Sequence, residues 1–128
     1  MEREHIMNPL GILVYGYSEE DARFMGESLG HALEQELFVI SASKKEDMTI
    51  GDILEKGPED IFEDREPKIL MFLAFSKEQI DMTLTEFPHK EALARPIFCG
   101  LTQHNIGWHL TDLTEHLLEE DRHWKTKT

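Results

Sequence analysis

Apolar residues along this chain fall into short runs separated by amphipathic or charged stretches, and the runs come in matching pairs. Ile12 to Asp21 (ILVYGYSEED) aligns without a gap on Leu70 to Gln79 (LMFLAFSKEQ). Each segment opens on an apolar run with no polar alternation, the pattern of a strand buried on both faces. A small residue, an aromatic and a serine follow: Gly16, Tyr17 and Ser18 in the first, Ala74, Phe75 and Ser76 in the second. Ser18 with Asp21 and Ser76 with Gln79 stand at or near capping-box spacing, which predicts a helix starting just after each serine. The first helix then carries Ala22, Met25, Leu29 and Leu33 on one face, and its counterpart carries Ile80, Leu84 and Phe87.

Apolar runs return at Leu37 to Ile40 and at Pro96 to Cys99, a second predicted strand in each half. A short helix from Thr49 to about Leu54 follows the former, with Thr49 and Asp52 at capping-box spacing; a longer one from about His109 to Glu120 follows the latter. The chain thus reads as one α/β domain over residues 1–128, built from two βαβα repeats at about 11–56 and 68–122. Right-handed crossovers and a twofold axis along the strands predict a small four-stranded parallel sheet, order 2-1-3-4, with helices on both faces. An acidic connection at about 57–67, within a charged stretch from Ser43 to Lys68 that holds Gly57, Pro58 and Pro67, joins the halves. The ends, through about Asn8 and after about His123, are expected to fray.

Charge narrows the set of partners. Thirteen basic against 26 acidic residues give a net charge of −13, a mean field that repels phosphate backbones and anionic membranes, so neither nucleic acid nor membrane is an expected partner. Met1 to Pro9 has no apolar core of the signal-peptide kind and no later run approaches a membrane span, which predicts a cytoplasmic protein. The single cysteine, Cys99, excludes an internal disulfide and a four-cysteine metal site, and its neighbours Ile97 and Phe98 predict a buried thiol.

Three pieces of the second half carry a family resemblance: KILMFLAFS at residues 68–76, the turn with Leu101, Thr102, Asn105 and Trp108, and the following Leu110, Leu113 and Leu117. Over these the chain resembles the family of domains of unknown function numbered 3783, short bacterial proteins without an assigned activity. The resemblance implies a fold and no catalytic residue.

Candidate chemistry is sparse. In a parallel sheet the ends of the first and third strands would share a crevice lined by Gly16, Tyr17, Ser18, Ala74, Phe75 and Ser76, a place for a small ligand; Tyr17, Ser18, Phe75 and Ser76 are its candidate contacts. Against an anion stand Glu19, Glu20 and Asp21 at the first helix start, and no glycine-rich loop is present. Clustered aspartates of the receiver type are missing from the strand ends. His109, His116 and His123, spaced by seven, form one helical stripe beyond His104. Steps of seven rise about 10 Å, too far for one ion, but His116 with Glu120, or Glu119 with His123, stand four apart and are candidate metal ligands. A solvated boundary face accounts for the stripe equally simply and takes precedence. Ser18, Ser76 and Cys99 are the available nucleophiles, and none lies in a G-x-S-x-G setting. Asn105 and Trp108 read first as a turn anchored by an amide and an indole, and, with Trp124, second as an interaction patch.

Missing motifs favour a non-enzymatic module, binding a protein partner or forming a homodimer, with no cofactor. The other reading is a small-ligand or metal-binding domain using the strand-end crevice or the histidine stripe.

Overall fold

A computed structural model describes residues 10–56, 61–88 and 93–127, with side chains throughout except at 56 and 123–127. The apolar runs form β1 (Leu10–Tyr15), β2 (Leu37–Ser41), β3 (Ile69–Leu73) and β4 (Ile97–Gly100). Helices α1 (Glu19–Leu33), α2 (Ile50–Lys56), α3 (Lys77–Glu86) and α4 (Leu110–Lys127) separate and follow them, with a 3-10 turn at Asn105–Gly107. The strands make a single sheet in the expected order, β2-β1-β3-β4, with every residue of β1 and β3 buried, as the apolar runs predict.

The sheet is mixed rather than parallel. β1 pairs parallel with β2, and β3 with β4, but β1 and β3 run antiparallel with Leu13 opposite Met71. Burial cannot reveal this, because a central strand between two helical layers is covered on both faces in either direction. Direction is set by where the connection delivers the chain. The Arg65 N–H donates to the Gly16 carbonyl at 3.1 Å and Lys68 Nζ to the same oxygen at 2.8 Å, so residues 65–68 lie against the carboxyl end of β1. From there β3 can only run back, and Ile69 lies opposite Tyr15.

Helices cover both faces. On one, Ala22, Met25 and Leu29 of α1 and Ile80 of α3 pack with Ile12, Val14, Leu70 and Phe72. On the other, Ile50 and Ile53 of α2 and Leu110, Leu113 and Leu117 of α4 pack with Leu13, Tyr15, Ile69 and Met71. Each fully buried aliphatic side chain of this kind contributes about 1.5–3 kcal/mol.

Both serine caps form. Ser18 Oγ accepts from the Asp21 N–H at 3.2 Å. At Ser76 the box is complete: Oγ accepts from the Gln79 N–H at 3.1 Å and the Ser76 N–H donates to Gln79 Oε1 at 2.8 Å. Thr49 Oγ1 likewise accepts from Asp52 N–H at 3.1 Å, and α2 begins one residue later than expected. The last helix runs on to Lys127 instead of ending near Glu120, since no glycine or proline interrupts the sequence there.

Candidate functional site

At the carboxyl end of β1 the connection is fastened by charge. Tyr15 donates its hydroxyl to Glu46 Oε2 at 2.6 Å, Arg65 stands 3.9 Å from the same carboxylate and 3.6 Å from Glu63, and Lys44 pairs with Glu63 at 3.5 Å. Lys68 adds contacts to Asp64 at 2.9 Å and Glu66 at 3.5 Å. Burial and the Glu46 hydrogen bond push the Tyr15 phenol up to about 12, while that hydrogen bond holds the Glu46 carboxyl below its ordinary range. A phenol so firmly protonated is no base at neutral pH. Tyr17 is buried, donates to the Ala94 carbonyl at 2.5 Å, and has the Lys68 ammonium 5.4 Å from its ring centre; burial raises its phenol further still. These groups are spent on holding residues 63–68 and 94 to the strand end.

The antiparallel step dissolves the expected crevice. With Gly11 opposite Leu73, the carboxyl end of β3 lies at the other end of the sheet from Tyr17 and Ser18. Phe75 and Ser76 are therefore not brought together with them. Phe75 is half-buried against Phe72 at 4.9 Å, and both serines serve as caps. The third possible nucleophile, Cys99, is half-buried rather than fully buried, because it sits on edge strand β4; burial nonetheless pushes its thiol up to about 12, away from the reactive thiolate.

Before α4, Asn105 is buried and its amide ties the turn: Oδ1 accepts from the Thr102 N–H at 2.8 Å and Nδ2 donates to the Gly100 carbonyl at 3.0 Å. The anchoring reading is what these bonds describe. Trp108 is half-buried, edge-on to His116 at 5.3 Å, and its carbonyl accepts from the Ile50 N–H at 2.9 Å. His116 Nε2 lies 3.2 Å from Glu120 Oε2, so that pair does meet, on an open face where both side chains are about half exposed. The side chains of His123 and Trp124 lie outside the described residues. Among the described residues no three metal-ligating side chains gather at one point.

One concavity is a feature the sequence reading missed. It is a groove of about 1070 Å³ between α1 and the outer edge of β2. Its helix wall is the stripe Arg23, Glu27 and His31 with Glu34, its floor is Gly26, Gly30, Leu37 and Val39, and Phe62 and Glu36 complete it. Gly26 brings helix and strand close, since a Cβ there would come within 2.8 Å of Val39 Cγ2. The available signal was two glycines four apart on α1, between the apolar stripe and the charged one.

Backbone alternation completes the site. The Ala42 N–H donates to the Val14 carbonyl at 2.8 Å, so Ile40 and Phe38 turn their amides toward β1, and Leu37 and Val39 turn theirs to the outer edge. That edge is closed at buried Ser41, whose Oγ donates to the Ile61 carbonyl and whose own carbonyl accepts from Lys45 Nζ at 2.8 Å. Among the described residues β2 pairs only with β1. Phe38, 42% exposed, stands on the opposite face of the same edge over Gly11.

No helix among the described residues is long and apolar enough to cross a membrane. Neither a curated protein nor a solved structure matches the chain. Its second half, residues 68–123, from the start of β3 into α4, matches the family described as Domain of unknown function (DUF3783), the family to which its motifs point.

Proposed function

We propose that this protein is a non-enzymatic interaction module that takes up an extended segment of a partner protein along β2. The observation that carries this reading is the juxtaposition of the Leu37–Val39 stretch of the β2 edge, which pairs with no other described strand, with the α1–β2 groove. A segment laid against β2 would bond to the outward amides of Leu37 and Val39, and every second side chain would enter the groove. Main-chain bonds supply affinity in this mode and the groove supplies selectivity.

Three observations support an interaction module over a catalyst. Ser18 and Ser76 are engaged as helix caps, Tyr15 and Tyr17 are held protonated, and the Cys99 thiol is pushed up by burial. A different partner is favoured over a homodimer, because two copies meeting at this edge would oppose the same acidic walls. The paired layout of the halves supports an origin by duplication: Leu13 and Met71, equivalent in the repeat, lie opposite one another, and Ser18 and Ser76 cap equivalent helices. Cytoplasmic residence remains part of the reading, on the strength of the acidic composition and the apolar pattern.

The test is a titration of the labelled protein, followed by amide NMR, with each of three short peptides in which leucine alternates with lysine, glutamine or glutamate. Shift changes centred on Leu37 to Ser41 and on Gly26 and Gly30, with at least one peptide, are the expected result. Changes confined to the turn around Asn105 and Trp108, or none with any peptide, would contradict it.

A further inference from the structure

We infer that the partner segment taken up at β2 alternates long basic side chains with apolar ones; this rests on the docking reading above and specifies its chemistry. The groove wall is acidic in a particular way. Arg23 is already held by Glu19, at 2.7 Å through Nη2 and 2.9 Å through Nε. Glu27, Glu34 and Glu36 line the same groove, and none has an ion pair with another described residue. Their carboxylates stand exposed above a floor of Gly26, Gly30, Leu37 and Val39.

A cation on a long aliphatic stem matches that cross-section. Lysine or arginine laid into the groove would cover the floor with its methylenes and carry its charge to the glutamates at the rim. A short acidic side chain would meet like charge, and a purely apolar one would leave the carboxylates unanswered. Across the strand the requirement reverses. Residues between those entering the groove fall on the face where Phe38 is exposed beside Gly11, and an aliphatic side chain there covers the ring. One edge thus asks for basic and apolar residues in turn, the two-residue period of a strand.

The experiment is fluorescence polarisation with the three labelled peptides on the full chain. The lysine–leucine peptide is expected to bind tightest, to weaken with added salt, and to lose roughly tenfold in affinity when Glu27→Gln, Glu34→Gln and Glu36→Gln are combined. All three sites are exposed, so the variant keeps its fold, and far-UV circular dichroism checks that it does. The matched control Asp112→Asn, Glu115→Gln and Glu119→Gln on α4 removes the same charge elsewhere and is expected to leave binding unchanged. Equal loss in the control would overturn the inference by showing attraction to net charge alone. Equal or tighter binding of the glutamine or glutamate peptide would overturn the basic partner while leaving the docking edge standing. Binding of none of the three would overturn both.

Discussion

After β1 and after β3 the backbone turns the same way, with Gly16 at φ 91° and Ala74 at φ 68°, and each turn leads into a serine-capped helix. The surroundings are opposite. A Cβ on Gly16 would run into the carbonyls of Arg65 and Pro67, whereas Ala74 is exposed. One strand end is built over by the connection between the halves, and the other is left open. The built-over end is where Tyr15, Glu46, Arg65 and Lys68 collect, so its density of charged groups marks a fastening, and the interaction site lies instead along β2.

Substitutions at the two turns separate these roles most strongly. Gly16→Ala is expected to destabilise the protein by about 2–4 kcal/mol, combining left-handed strain with a clash against fixed backbone. Urea unfolding measures it, and a loss below about 1 kcal/mol would mean that residues 65–67 are not seated on β1. On the open side the corresponding support is the turn amide. Asn105→Ala removes the bonds that its buried amide makes to the Thr102 N–H and the Gly100 carbonyl, for an expected loss of about 1–2 kcal/mol by the same measurement.

Ala74→Gly is expected to act in the reverse sense, stabilising by about 0.5 kcal/mol, because relief from the left-handed region exceeds the added chain entropy. A destabilised Ala74→Gly protein would deny the equivalence of the two turns. The smallest effect is in pH dependence. Glu46 is held below its ordinary range chiefly by the Tyr15 hydroxyl, so its contribution is present above the ordinary carboxylate pKa and lost as pH falls through the lowered one. Tyr15, raised to about 12, contributes below pH 10 and loses that contribution as pH rises from 10 toward 12. Tyr15→Phe removes both, and its unfolding midpoint is expected to vary less with pH than the parent's at the acid and alkaline limits. An unchanged profile would detach Tyr15 from Glu46.

Much of this fold was legible in the sequence. Two apolar runs without alternation identified β1 and β3 as central, the spacing of Ser76 and Gln79 announced a capping box, and the sheet order is the one expected, although the twofold axis along the strands that suggested it is ruled out by the antiparallel β1–β3 pair. Strand direction was not legible, because it depends on the Arg65 and Lys68 contacts with the Gly16 carbonyl, made by residues far apart in the chain. That one unknown also removed the crevice expected of Tyr17, Ser18, Phe75 and Ser76. Of the other candidates, Asn105 was readable as an anchor, and the i, i+4 spacing of His116 and Glu120 placed them in contact. The groove was hidden for a different reason. Gly26 reads as one more small residue on the buried stripe of α1 and Gly30 borders it, and their meaning appears only when the helix is set beside the edge strand.

Amide hydrogen exchange on β2 tests the central claim most directly, comparing the free protein with the protein saturated by the lysine–leucine peptide. Strand addition predicts slowed exchange at Leu37 and Val39, whose N–H groups face the outer edge, with little change at Phe38 and Ile40, already bonded to β1. Uniform protection along β2, or unchanged exchange at Leu37 and Val39 with the peptide bound, would contradict it.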